Sequence, residues 1–365
     1  METTERRYDI DWLRVIAIGL LLIYHAAIVF QPWGILIRFI QSNESLEWLW
    51  IPMSMMNVWR IPLLFLVSGM GVCFAIRKRS WKQLIGERSR RILLPFVAGV
   101  ALVVPLHELI WQNHYSQPFS YALSRGHLWF LGNIFAYVIL LLPLFYYLKV
   151  KVNTNLYQRL TRLMSHPFSV LLLGGLLVAE TLWVSPESYE MYALTWHGFY
   201  LGILAFAFGF VMAYVGNGFW KSILKWRWLY AGFACCLFML RLLVFDLFPP
   251  KYLYPFETMT WIYAVLGFGY KYLNQPGKWL SYLSKAAYPV YILHMIFLYA
   301  GAAFILPINL PVELKFVLVT LCSLLGSVLV YELLIKRVKY LGLFFGYTPA
   351  SAKENHSVEA SALPA

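Results

Sequence analysis

Long apolar stretches recur along the whole chain and alternate with shorter polar segments. Ten of them are candidates for membrane-crossing helices, since a span needs roughly 20 predominantly apolar residues. They cover approximately residues 12–30, 58–76, 92–111, 128–148, 168–184, 199–216, 228–248, 258–271, 287–305 and 314–335, and the eighth is the weakest. Hydrophobic residues make up 61% of the sequence and charged residues 13%, about half the share of a soluble domain. The pattern predicts an all-α, polytopic membrane protein with about ten transmembrane helices.

Basic residues mark one side of the predicted membrane topology. Twenty-three of the 30 Lys and Arg residues fall in alternate loops that start with the N-terminus, whereas the opposite loops hold Arg38, Arg125 and Lys251. Because cytoplasmic loops are enriched in Lys and Arg, both termini are predicted to be cytoplasmic. The formal charge of +13 is then mostly a topology signal. Without an amphipathic basic stripe or a nucleic-acid motif, it indicates the lipid bilayer as a partner and no nucleic acid.

One domain accounts for most of the chain. Residues 1–347 are predicted to form a membrane-embedded domain that contains all ten segments. The remaining stretch, 348–365, reads TPASAKENHSVEASALPA, and its small and polar residues predict a disordered cytoplasmic tail. The four cysteines lack C-x-x-C spacing, so neither a metal site nor a disulfide framework is predicted.

The first apolar segment carries two ionisable residues, Arg14 and His25, among apolar neighbours. Groups of this kind are costly inside a bilayer and usually face the protein interior or a water-filled cavity. They are eleven positions apart, about three helical turns and roughly 16 Å of rise, so both lie on much the same face of one helix. A neutral imidazole in a dry pocket is a good general base, which makes His25 a catalytic candidate. The alternative for His25 is a structural, hydrogen-bonded role.

A second group of cations precedes the third segment, in the sequence GERSRRILLP. Arg88 and Arg91 lie three residues apart where that helix is predicted to begin, so one helical face presents both. Together with Arg14 they form a candidate site for the phosphates of an anionic molecule arriving from the cytoplasm, such as an acyl-coenzyme A. Two alternatives remain open, namely charge that only sets the topology and contact with lipid headgroups.

A third group lies at similar depth in the outer halves of successive segments. Its members are candidates for lining a substrate pocket, and they are His25, Arg60, Glu108, His127 and Trp129. Glu108 is the carboxylate expected to orient the imidazole of His25. The alternatives are histidines that make structural hydrogen bonds and, for His127 and Trp129, an aromatic belt at the membrane surface.

The order of these motifs resembles the integral-membrane acyltransferase 3 family. The motifs are R-x10-H in the first segment, then RIPLLFLVSG, RSRRILLP, GHLWFL and YPVYILH, and the similarity runs from Tyr8 to about Gly346. Within the family, YDIDWLRV, HLWFL and the closing FFGYTP look most similar to the branch around the succinyltransferase of periplasmic glucan synthesis.

This resemblance implies ten or more helices, an acyl-CoA donor on the cytoplasmic side and a carbohydrate hydroxyl as acceptor, usually on the far side. It marks His25 as catalytic and Arg14 as essential, and the family's second arginine motif falls on Arg88 and Arg91. We therefore expect a membrane-bound O-acyltransferase of the cell inner membrane that moves an acetyl, succinyl or similar group to a glycan without a metal. The alternatives are a transporter or flippase for an acylated or lipid-linked glycan, and an inactive relative that acts as a receptor or partner.

Overall fold

The computed structural model describes residues 6–152 and 154–347, and these form helices and loops without a strand. The prediction of an all-α, polytopic membrane protein is confirmed. The predicted tail, 348–365, lies outside the described residues, and the division into one domain and a tail stays a prediction.

Twelve helices are described in the two ranges that the structure covers. They are α1 Tyr8–Ile28, α2 Trp50–Lys78, α3 Trp81–His114, α4 Trp129–Val150, α5 Asn155–Ser165, α6 Ser169–Val184, α7 Trp196–Val215, α8 Asn217–Leu243, α9 Leu253–Tyr272, α10 Lys278–Ile305, α11 Val312–Ile335 and α12 Lys339–Phe344. Short 3-10 turns lie in the connection between α1 and α2 and directly before α4.

Each of the ten predicted segments coincides with a helix. Among the described residues, eight helices are long and apolar enough to cross a membrane, and α5 with α6, bent by 96° at their junction, would make a ninth span. Helix α9 is not among them because it carries polar side chains such as Glu257 and Thr258. Both are fully buried in the protein, so they do not face lipid. The count of ten and the side of the termini remain predictions.

Helix α1 packs against α2, α9, α10 and α11. Its first turn is fixed by the buried carboxylate of Asp9, which accepts two hydrogen bonds from Arg7 at 2.6 and 2.9 Å. The guanidinium of Arg7 in turn lies 3.6 Å from the ring centre of Trp220 on α8. Helix α1, which carries Arg14 and His25, is therefore held by neighbouring helices on several sides.

Helices α2 and α7 approach each other so closely that only glycine fits at two positions. A Cβ atom at Gly69 would overlap the backbone oxygen of Phe206, and one at Gly209 would overlap the backbone oxygen of Leu66. Small residues permit such contacts between membrane helices, where dispersion forces rather than the hydrophobic effect hold helices together. This contact fixes α2, which contributes Arg60 to the cavity described below.

We expect Gly209→Ala to destabilise the protein by about 2 kcal/mol or more, because the new methyl group can fit only if two helix backbones move apart. The matched control is Gly175→Ala on α6, whose Cβ would meet nothing within 4 Å; it should be neutral or slightly stabilising. Thermal unfolding in detergent compares the two. Equal unfolding temperatures for both variants would contradict the close contact.

Helix α3 runs without interruption from Trp81 to His114, so most of the predicted basic loop is helical. It begins early because Ser80 caps it, accepting a hydrogen bond from the Gln83 backbone while the Gln83 side chain accepts one from the Ser80 backbone. The helix contains two π-helical turns, at Ser89–Leu93 and Gly99–Val103. Such turns occur often at functional sites, and the first of them contains Arg91.

Candidate functional site

One cavity of about 1080 Å³ extends along α1 between α2, α3, α4 and α10. Its basic end is lined by Arg14, Arg88, Arg91, Ser284 and Tyr288. Its far end is lined by Trp33, Trp50, Glu187, Glu190, Lys251 and Tyr254. Between them lie Arg60, His25, His107, His127, Trp129 and Tyr291. The structure thus brings all eight candidate residues named from the sequence to the wall of one cavity.

The three arginines of the basic end make only long polar contacts with other groups of the protein. Arg14 lies 3.3 Å from a carboxylate oxygen of Asp11, and Arg91, half exposed, lies 3.3 Å from Glu87. Arg88 donates a long bond of 3.4 Å to the carbonyl of Gly71, and its buried Nε has no partner in the part of the chain that the structure describes. Donors therefore remain available here for an anion.

His25 is paired with a second histidine that lies 269 positions further along the chain. Its Nδ1 lies 2.8 Å from Nε2 of His294 on α10, and the two rings are nearly parallel. The Nδ1 of His294 lies 2.6 Å from the carbonyl oxygen of Tyr291, one turn earlier on the same helix. His294 is the last residue of the motif YPVYILH, and the sequence gives no means of pairing it with His25.

His127 is fixed by the same helix from the other side. Its Nε2 lies 3.0 Å from the carbonyl oxygen of Ile292, and its backbone oxygen accepts a hydrogen bond from the Tyr291 hydroxyl. The ring of His127 is 5.2 Å from that of His294 and 5.5 Å from that of His107. Four histidines are thus gathered around the middle of the cavity, and Nδ1 of His127 has no partner among the described residues.

Arg60 is a buried cation on the cavity wall. Its side chain is about 1% exposed, its guanidinium lies 4.2 Å from the ring centre of Tyr24, and Nη1 is 3.5 Å from the Leu20 carbonyl oxygen. That carbonyl is about one helical turn before His25. Within residues 6–152 and 154–347, Arg60 forms no ion pair and its Nε has no partner. An arginine buried in this way is costly unless a ligand supplies the negative charge.

Glu108 and Trp129 lie on the cavity wall but do not contact His25. The carboxylate of Glu108 is 2.6 Å from a guanidinium nitrogen of Arg38, and its other oxygen is 4.0 Å from Nε2 of His107. The orienting contact that the sequence assigned to Glu108 is therefore made by His294. Trp129 is buried, and its ring packs edge-on against Phe65.

The far end is braced by an ion network that the sequence analysis missed. Arg241 on α8 donates to both oxygens of Glu257 at 2.7 and 3.0 Å, and its Nη1 is 3.3 Å from Glu190. One guanidinium group is thus shared by two carboxylates. Burial is the main cause that raises the pKa of the Glu190 carboxyl to about 7. The sequence shows Arg241 as a single arginine in an apolar segment. It does not show the partners Glu190 and Glu257, because they lie in other parts of the chain.

No group of three or more His, Cys, Asp or Glu side chains in the described ranges is arranged to hold a metal ion. The expectation of a reaction without a metal stays a prediction.

The fold and the cavity define a polytopic membrane protein in which ionisable side chains line an internal path between two ends of the helix bundle. A family profile described as an acyltransferase domain matches residues 7–332. The chain therefore belongs to the acyltransferase 3 family, and it is an acyltransferase. Comparison with curated proteins and with solved structures gave no significant match. The predicted family is confirmed, whereas similarity to the glucan succinyltransferase branch stays a prediction.

Proposed function

We propose that this acyltransferase moves a short acyl group from cytoplasmic acyl-CoA to a hydroxyl group of a carbohydrate on the opposite side of the membrane. The observation that carries the proposal is the cavity whose wall includes three arginines, three histidines and an aromatic far end. A donor and an acceptor that enter from opposite ends would meet at His25.

The basic end suits the phosphates of coenzyme A. Arg14, Arg88 and Arg91 line the cavity, and the buried Nε of Arg88 has no partner among the described residues. Guanidinium groups bind phosphate by charge-assisted hydrogen bonds. Arg14 and His25 are separated by roughly 16 Å along α1. In our proposal the nucleotide stays at the basic end while the pantetheine arm carries the thioester toward His25.

At His25 the proposed reaction is a direct transfer. The acceptor oxygen attacks the thioester carbon as Nε2 of His25 takes the hydroxyl proton, and the carbonyl oxygen gains a negative charge. The buried guanidinium of Arg60 supplies the opposite charge, which is most effective where water is excluded. When the C–S bond breaks, the thiolate leaves and takes the proton from His25, so that CoA–SH and the new ester are the products.

The far end has the character of a pocket for a polar ligand with apolar faces. Trp33 and Trp50 pack edge to face at this end, and Glu187 and Lys251 add charged groups to the cavity wall. Aromatic walls with a few polar groups are typical of small-molecule sites. In our proposal the sugar binds here, and His127, Trp129 and Glu108 shape the inner part of its site.

The distribution of basic loops supports the proposed location. The basic end lies on the side of the lysine- and arginine-rich loops, which face the cytoplasm under the positive-inside rule. In our proposal the carbohydrate is then outside the cytoplasm, and the protein lies in the bacterial inner membrane.

Release of CoA by the purified protein tests the proposal. The protein in nanodiscs is given a panel of short acyl-CoAs with and without a crude envelope glycan fraction, and free thiol is measured. We expect thiol release that depends on the glycan. Glycan binding or movement without thiol release from any donor would replace the proposal with the transporter alternative.

Arg90 and Arg91 allow a matched test of the proposed donor site. They are adjacent and both exposed, but only Arg91 lines the cavity. Arg91→Gln and Arg90→Gln remove the same charge from the same helix. We expect about a tenfold rise in the KM for acyl-CoA with Arg91→Gln and little change with Arg90→Gln. Equal effects of the two would show that the arginines act only through overall charge.

A further inference from the structure

We infer that His294 is a positioning residue that holds His25 in the tautomer whose Nε2 is free to accept the hydroxyl proton. The inference rests on the proposed function for its chemistry, but its geometric part concerns three groups of the protein alone. These are the Tyr291 carbonyl, the imidazole of His294 and the imidazole of His25.

The direction of the two hydrogen bonds follows from the Tyr291 carbonyl oxygen, the last acceptor in this series of three groups. A carbonyl oxygen only accepts, so Nδ1 of His294, 2.6 Å from the Tyr291 oxygen, carries a proton. In a neutral imidazole the other nitrogen is then an acceptor, which makes Nε2 of His294 the acceptor at 2.8 Å from His25. Nδ1 of His25 must donate. The remaining nitrogen of His25, Nε2, is left with its lone pair.

The two imidazoles are held in place by neighbouring groups. His294 is fully buried on α10, and its own carbonyl oxygen accepts a hydrogen bond from Ser323 on α11. His25 is partly exposed to the cavity, and its ring is flanked by Phe39. The buried partner is therefore the fixed one, and the partner that faces the cavity is the one that meets substrate.

The same contact also stabilises His25 once it has taken the proton. When Nε2 of His25 takes the proton, the ring becomes a cation whose Nδ1–H is already directed at the neutral Nε2 of His294. Charge-assisted hydrogen bonds are about twice as strong as neutral ones, so the contact tightens as the charge forms. This is the role that a carboxylate fills in a Ser-His-Asp triad, carried out here by a second imidazole.

Two substitutions at the same position separate this role from general packing. In His294→Gln the side-chain oxygen reaches the place of Nε2 and still accepts from His25. In His294→Asn the shorter side chain reaches the place of Nδ1, keeping contact with Tyr291 but not with His25. We expect kcat within about tenfold of wild type for the glutamine variant and a loss of about 10²- to 10³-fold for asparagine, with the KM for acyl-CoA unchanged in both.

Nitrogen NMR of protein labelled at histidine provides a readout that does not depend on turnover. His25, assigned by its absence from His25→Gln, should show a protonated Nδ1 and an unprotonated Nε2 in wild type, and the reverse in His294→Asn. A wild-type His25 protonated at Nε2 would overturn the inference, as would equal kcat for the two variants. Failure of the proposed function is a different result, namely no glycan-dependent thiol release by wild type.

Discussion

Replacing His25 with alanine is expected to abolish glycan-dependent release of CoA, with a loss of about 10³-fold or more. A positioned general base contributes about 10²- to 10⁴-fold to proton transfer, and the small side chain also removes the partner of His294. Binding of acyl-CoA should change little, because Arg14, Arg88 and Arg91 lie at the basic end of the cavity. The measurement is thiol release and acyl-CoA binding by the same preparation in nanodiscs.

The control for this variant is His166→Ala, at an exposed histidine that does not line the cavity. It should keep wild-type activity. If His25→Ala is folded and still transfers acyl groups at more than a tenth of the wild-type rate, His25 is not the base, and the proposed mechanism fails.

Replacing Arg241 with methionine is expected to destabilise the protein by about 3–5 kcal/mol, the cost typical of breaking a buried ion pair on one side. The guanidinium is fully buried and is held by both oxygens of Glu257 as well as by Glu190. Its removal leaves two carboxylates without a cation in the interior. Thermal unfolding and the fraction of protein that stays monodisperse in detergent measure the effect.

The double variant Arg241→Met with Glu257→Gln should recover part of the lost stability, because one of the two carboxylates is then uncharged. Arg125→Met, at an exposed arginine, is the control and should unfold as wild type does. A single variant at Arg241 as stable as this control would show that the network adds little to the fold.

The helices were predictable because their apolar segments are long and the basic loops alternate. Even so, the boundaries moved by several residues where local chemistry intervened. The capping of α3 by Ser80 begins the helix several residues before Arg88 and Arg91, in a stretch that was predicted to be a loop. Helix α9 gave a weak hydropathy signal because its polar residues, including Glu257, are satisfied inside the protein rather than exposed to lipid. Hydropathy measures composition, and it does not register a partner on another helix.

The residues on the cavity wall were predictable one by one, since an ionisable group in an apolar segment is rare. Their pairing was not. His25 was expected to be oriented by Glu108, but the carboxylate of Glu108 pairs with Arg38. The partner of His25 is His294, which lies 269 positions further along the sequence. Arg241 and Glu190 were likewise separated by 51 positions. Contacts of this range depend on how helices pack, and periodicity within one segment carries no information about them.

A cavity that reaches both ends of the bundle is also a route for small ions unless something holds them back. The guanidinium of Arg60, buried and without a carboxylate in the described part of the chain, places a positive charge between the two ends. A hydronium or sodium ion at the same depth is repelled by that charge, which is weakly screened where little water is present. In our proposal, the side chain that stabilises the reacting oxygen would thus also oppose the passage of protons through the cavity.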